Sequence, residues 1–284
     1  MLSENIQTTL ESQLNDKIVS KESVHGGDIN HAHKLTFDSG NIAFLKWNEN
    51  PQETMFKAEA KGLNLLRKSD TNLVIPRALA ISDEYLLLEW IEEGGGKPDS
   101  SYKFGVELAK LHCTSNSYFG LDHDNFIGKL KQSNTNHSNW PDFFALERIE
   151  PQIKLGVESG KLTRSLFRDV EHLYKNLGSI FPQEQPALLH GDLWGGNFMF
   201  TKSGVASIYD PAVYYGHREM DLAMTRLFGG FSADFYNGYN EQFPVEPGFE
   251  ERISLCNLYP ILVHANLFGG SYCRQAESII KNYV

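Results

Sequence analysis

The chain has 284 residues, of which 41% are hydrophobic and 22% charged, and a formal net charge of -10. That length suits one two-lobed domain or two small ones and allows a sizeable buried core. A surface this acidic repels nucleic acid and anionic membranes, so neither is expected as a partner.

Ile6, Leu10, Leu14 and Ile18 recur at helical spacing after Ser3, a plausible N-cap, and predict a helix from Ser3 to about Ile18. Residues 18 to 47 then read as consecutive strands. Gly26 and Gly27 stand in the first turn, where glycine lets backbone N–H groups approach a phosphate, although such a pair also suits a plain hairpin turn. His31 and His33 share a strand face, but without a third ligand nearby they read as a surface pair and not a metal site. Lys46 interrupts the apolar run Asn41 to Trp47, and a lysine in that setting must find an anion. Residues 53 to 67 form a predicted helix with Phe56, Ala60, Leu63 and Leu66 on one side. Glu59 lies among them and is the expected partner of Lys46.

A strand-like Leu-Val-Ile ends at Pro76, and Tyr85 to Ile91 is a further apolar strand. It runs into Glu92-Glu93-Gly94-Gly95-Gly96-Lys97-Pro98, the most linker-like stretch of the chain, which reads as a hinge. It lacks the G-x-x-x-x-G-K-[ST] frame of a phosphate loop. A boundary here divides the chain into an N-terminal lobe over residues 1–91 and a C-terminal lobe over residues 92–284.

Residues 102 to 112 read as a helix with Phe104, Leu108 and Leu111 inward and His112 as a core histidine. Trp140-Pro141-Asp142 opens a helix that continues past Arg148. Aromatic residues in a loop facing a cleft can hold a sugar; Trp140 and the adjacent Asp142 are candidate substrate contacts, while Phe143 and Phe144 suit a core position at least as well. Another helix spans residues 162 to 177.

The chemistry concentrates in His190-Gly191-Asp192-Leu193-Trp194-Gly195-Gly196-Asn197. An Asp followed five residues later by an Asn is the pair that phosphoryl transfer uses: the acid orients and deprotonates the acceptor hydroxyl, and the amide holds magnesium. Protein kinases carry H-R-D-x-x-x-x-N; this chain carries H-G-D-x-x-x-x-N. Asn197 to Phe200 and Val205 to Tyr209 form a predicted hairpin that delivers Asp210 close to Asn197, where a kinase has its second metal ligand. Two oxygen ligands plus phosphates suit magnesium. In the same chain order, Lys46 and Glu59 take the place of the ion pair that positions ATP, and the backbone of Glu89, Trp90 and Ile91 would face the adenine. Asp221, ahead of an apolar helix, is expected to cap that helix or brace the loop.

The start, Met1 to Asn5, has neither a basic n-region nor an apolar h-region, and no apolar run approaches membrane-spanning length. Cys113, Cys256 and Cys273 are scattered and odd in number, which fits a reducing cytoplasm without disulfides or a zinc site.

With its tryptophan, the loop His190 to Asn197 resembles that of the fructosamine kinase (ketosamine-3-kinase) family, H-G-D-L-W-x-G-N. Met55 to Glu59, Leu108 to His112, Gly216 to Met224 and Tyr259 to His264 are also family-like, so the resemblance spans nearly the whole chain. It implies an α+β, protein-kinase-like fold with a small antiparallel-sheet N-lobe and a mostly helical C-lobe. The implied reaction is ATP- and Mg2+-dependent phosphorylation of the sugar O-3 hydroxyl of a ketosamine, a deglycation repair. By matching positions, Asp192 is the base, Asn197 and Asp210 bind magnesium, Lys46 and Glu59 position ATP, and Trp194 offers a face to the sugar. Some members carry a Cys in the Gly-rich turn; here Asp28 follows Gly27, so redox control there is not expected. Two alternatives stay open: an aminoglycoside- or choline-type phosphotransferase, and a non-catalytic kinase-fold binding protein.

Overall fold

The computed structural model describes residues 2–24 and 30–283. Gly26, Gly27 and Asp28 therefore lie outside the described residues.

Helix α1 (Glu4–Leu14) starts where the Ser3 hydroxyl accepts a hydrogen bond from the Ile6 amide (3.2 Å). It stops earlier than the periodicity predicts, because Asn15 adopts the left-handed conformation (φ 51°) that closes a helix. Ile18 instead begins β1 (Ile18–Ser23), followed by β2 (His31–Phe37), β3 (Ile42–Trp47), α2 (Met55–Arg67), β4 (Ala78–Ile81) and β5 (Tyr85–Glu89). The strands form one antiparallel sheet in the order β1-β2-β3-β5-β4. Strand alternation divides its residues between two faces. Ala43, Leu45, Trp47, Tyr85 and Leu87 pack with Ile6 and Leu10 of α1, while Leu86 and Leu88 join Phe56 and Leu63 of α2 in a second core cluster. Lys46 and Phe44 fall on the second face, the one that borders the cleft.

The Leu-Val-Ile segment before Pro76 is not a strand of this sheet. Val74 instead forms a parallel bridge to Ser207 and exchanges backbone hydrogen bonds with Ala206 and Ile208 (2.9 and 3.1 Å). The chain thus ties its first part directly to the hairpin that carries Asp210.

The second part contains α3 (Ser100–His112), the hairpin β6 (Asn125–Ile127) and β7 (Leu130–Gln132), α4 (Trp140–Phe143), α5 (Glu150–Glu158) and α6 (Leu166–Ile180). Four short strands follow, β8 (Ala187–Leu189), β9 (Phe198–Phe200), β10 (Ala206–Ile208) and β11 (Tyr214–Gly216), which form two antiparallel pairs, β8 with β11 and β9 with β10. Helices α7 (Glu219–Leu227), α8 (Ala233–Gln242), α9 (Phe249–Cys256), α10 (Leu258–Phe268) and α11 (Ser271–Asn282) complete it. The expected single helix beyond Trp140 is interrupted by a π-helical turn, Phe144–Ile149. Pro151 supplies the reason: it has no N–H to give Glu147 four residues back, and its ring crowds that carbonyl. The Arg148 guanidinium takes up the freed Glu147 carbonyl (3.1 Å). The largest core cluster joins α4, α5, α6, α10 and α11 around Phe143, Phe144, Ile149, Leu173 and Leu262.

Residues 92–97 are not a free hinge. Glu93 bridges to Thr201, the Gly94 amide donates to the Phe200 carbonyl (3.0 Å), and a Cβ on Gly94 would stand 2.2 Å from Lys202 Cα. Glycine is needed there because two backbones touch. The three cysteines are free, and none of the helices among the described residues is long and apolar enough to cross a membrane.

Candidate active site

The loop His190 to Asn197 lies between β8, which pairs with β11, and the hairpin β9–β10. Gly191 has φ +82°, and a Cβ there would meet the Ala212 carbonyl oxygen at 2.0 Å. This is why a glycine stands where a protein kinase has arginine: the turn admits no L side chain. Both oxygens of the buried Asp221 carboxylate accept backbone amides of the loop, from His190 (2.7 Å) and Gly191 (2.9 Å). Asp221 therefore braces the loop, as expected. His112 is the core histidine anticipated, with Nε2 3.2 Å from Asp221 and Nδ1 2.8 Å from the Tyr239 hydroxyl.

His190 ties the two halves of the site. Its Nε2 donates to the Tyr209 carbonyl (3.0 Å), and its Nδ1 accepts from the Asp192 amide (3.3 Å). This arrangement needs the neutral ring, and burial lowers the His190 pKa accordingly. The Tyr209 amide in turn donates to the Asn197 carbonyl (3.1 Å), so the hairpin sets Asp210 beside the loop. Asp210 itself has φ +60°, a left-handed conformation uncommon outside glycine, held at the point where the chain turns into Pro211.

Asn197 donates its amide to the Asp192 backbone carbonyl (2.9 Å) and to Asp192 Oδ2 (3.1 Å). Burial pushes the Asp192 carboxyl up to about 7; the neighbouring Asp210 adds to the rise, and the Asn197 hydrogen bond opposes it. Lys46 Nζ lies 2.9 Å from Glu59 and 2.5 Å from Asp210. Burial works against the ammonium charge, yet the two carboxylates outweigh it and hold Lys46 above its ordinary range, firmly protonated.

These five side chains border a single cavity of about 690 Å³. Glu89, Trp90 and Ile91 line it as well, with Glu89 also paired to Arg77 (3.2 Å) and Trp90 tilted against Phe44 (6.4 Å). Trp194 lines it too, half-exposed. Two expected substrate contacts are corrected. Trp140 is buried among Phe143, Phe144, Phe181 and His217, away from the cavity, because a side chain opening a core-facing helix follows the apolar face of that helix. Asp142 is engaged at the start of α4, where its amide donates to Asn139 Oδ1 (2.9 Å) and its carboxylate accepts from Asn139 Nδ2 (2.7 Å). The sequence reading missed Asn125, Phe126, Pro260, His264 and Phe268 of the cavity wall. The stretch Tyr259 to His264 stood out as family-like, but within a long apolar run nothing marked which side chains face a cleft.

The sequence profile of the family described as fructosamine kinase matches residues 1–284. The chain belongs to the fructosamine kinase family. A Synechocystis protein described as a probable ketoamine kinase is 42% identical, over 93% of this chain and 90% of its own. The chloroplastic protein-ribulosamine 3-kinase of Arabidopsis thaliana is 35% identical over 92% of this chain and 82% of its own. A crystal structure ascribed to a fructosamine-3-kinase from Thermobifida fusca superposes with a TM-score of 0.89 at 31% identity, covering 98% of both chains. An ADP-bound aminoglycoside phosphotransferase, at 14% identity over 99% of this chain and 97% of its own, shares the fold (TM-score 0.66). This family member is therefore two-lobed in the protein-kinase manner, α+β, with its sheet in the first part and helices dominating the second.

Proposed function

We propose that this protein transfers the γ-phosphoryl group of ATP, with magnesium, to the O-3 hydroxyl of a ketosamine. The phosphorylated adduct is unstable and releases its amine, so the reaction reverses glycation; we assign it to the cytoplasm. The observation that carries the reading is the convergence of Lys46, Glu59, Asp192, Asn197 and Asp210 on one cavity, beside a half-exposed Trp194, in a member of the fructosamine kinase family.

Asp192 has the central role. Asn197 engages its Oδ2, which leaves Oδ1 to orient the acceptor hydroxyl and take its proton. A carboxyl near neutrality is well matched to a general base. Lys46, fixed by Glu59, grips the phosphates, and the segment Glu89 to Ile91 faces the adenine. The donor set fits magnesium: Asn197 spends its Nδ2 on Asp192 and keeps its Oδ1, and Asp210 adds a half-exposed carboxylate. Both are hard oxygen donors, and magnesium takes few protein ligands. When bound, it neutralises charge on the β- and γ-phosphate oxygens. Trp194 offers an apolar face to the sugar ring. Positioning and charge neutralisation supply the rate, because this transfer needs little covalent help.

The test is product analysis. Incubation with ATP, magnesium and a fructosyl- or ribulosyl-amine is expected to give a sugar phosphorylated at O-3, seen by 31P NMR, followed by stoichiometric free amine. ADP without a phosphorylated sugar, or phosphate on another hydroxyl, would contradict the reading.

A further inference from the structure

Among the described residues, nine large hydrophobic side chains are more than a third exposed, and three of them, Trp194, Phe228 and Phe268, gather at one place. His264 links them. Trp194 packs its edge on Phe228 (6.0 Å between centroids), Phe228 lies 5.2 Å from His264, and His264 lies 5.6 Å from Phe268 and 5.0 Å from Tyr272. Trp194, His264 and Phe268 share the cavity with Asp192. The aromatic surface is therefore the outward continuation of the acceptor side of the site, and exposed apolar surface of this kind marks a binding groove.

The sequence builds this edge twice in the same way. Leu227-Phe228-Gly229-Gly230 closes α7, and Leu267-Phe268-Gly269-Gly270 closes α10. All four glycines have positive φ, between 65° and 99°, and neither helix runs past its phenylalanine: Phe228 caps the end of α7, and Phe268 is the last residue of α10. Each ring is left at a helix end, 45% and 58% exposed. No Asp, Glu, Lys or Arg belongs to the cluster.

The geometry of the reaction says what passes over these rings. The accepting hydroxyl must lie at Asp192, so the sugar occupies the neighbourhood of Trp194, and the amine end of the acceptor points to the cavity mouth. Aromatic faces attract a protonated amine and apolar groups and give a carboxylate no partner. We propose that Phe228 and Phe268 are specificity-determining residues that receive the substituent on the acceptor's amine and select apolar or aromatic substituents over carboxylate-bearing ones. The inference rests on the ketosamine reading above.

The test compares kcat/KM of the full chain for the methylamine, benzylamine and glycine adducts of one ketose. The benzylamine adduct is expected to exceed the methylamine adduct about tenfold, mostly through KM, the order expected for burying part of one phenyl ring. The glycine adduct is expected below both. Phe228→Ala and Phe268→Ala should each lower the benzyl-to-methyl ratio about threefold or more, and Phe→Leu at either position should keep most of it. The ratio is taken within one preparation, so a partly misfolded variant does not distort it. A ratio near one in the unaltered protein, or an unchanged ratio in the doubly substituted alanine variant, would overturn the inference while leaving the ketosamine reading in place. No turnover on any of the three adducts would overturn both.

Discussion

At Asp192 two demands oppose each other. A base must be ionised at the working pH, while burial and the nearby Asp210 favour the protonated form; the Asn197 amide supplies the counterweight. Replacing Asp192 by Asn keeps the shape and removes the base. The expected result is a fall in kcat of about 10²–10⁴-fold with ATP still bound, measured by steady-state kinetics and nucleotide titration. Normal turnover in this variant would sink the assignment. Gly191→Ala meets the Ala212 carbonyl at 2.0 Å in a left-handed turn, so it should lower stability by about 1–3 kcal/mol, read by chemical denaturation. Legibility at this scale followed locality. Asp192 and Asn197 announce themselves because chemistry fixes both type and spacing within one loop. Lys46 was legible because a charge inside an apolar strand needs a partner. Trp140 misled because an aromatic residue beside a loop has the same letter whether it faces a cleft or a core.

The hairpin β9–β10 is the element that assembles the site. Three residues on each strand and a tight turn fix how far Asp210 stands from Asn197, and the Tyr209 amide locks that distance. Val74 and Gly94 strap it from outside, each from a stretch whose sequence suggested something simpler, a strand and a hinge. Such contacts join residues more than a hundred positions apart and leave no local pattern. Gly94→Ala should therefore lower the melting temperature by several degrees, since a Cβ would enter the Lys202 backbone. An unchanged melting temperature would show that the strap carries no strain. Asp210→Ala removes the carboxylate from Lys46 and from the proposed metal site together. The expected outcome is a magnesium requirement raised about tenfold or more by titration, on the general scale for losing a charged ligand. Unchanged magnesium dependence would count against Asp210 as a ligand. The π-helical turn was illegible as such, although Pro151, its cause, is plain in the sequence.

Across the whole molecule, buried ionisable groups couple stability to pH. Burial lowers the His217 pKa, against the pull of Glu184. The unfolded chain, with histidine near 6.5, then binds more protons than the folded one as pH drops. The stabilisation from His217 is full above about pH 6.5 and is lost as pH falls through the folded pKa. Asp192, at about 7, acts with the opposite sign. The informative quantity is thus the melting temperature of the unaltered protein minus that of His217→Gln, which should decline from pH 7.5 to pH 5. A constant difference would contradict a neutral buried His217. The fold class was legible through the family-like loop His190 to Asn197 and the chain order of Lys46, Glu59 and Asp210 around it; the closing of the cavity by α10 was not, because its apolar run serves core and cleft alike.

The most direct measurement is magnesium-dependent ADP release from ATP with fructosyl-, ribulosyl- and erythrulosyl-lysine, with kanamycin and choline alongside. Turnover on one or more ketosamines and on neither control is the predicted result. Turnover on kanamycin or choline alone would keep the ATP side of the site and contradict the ketosamine assignment.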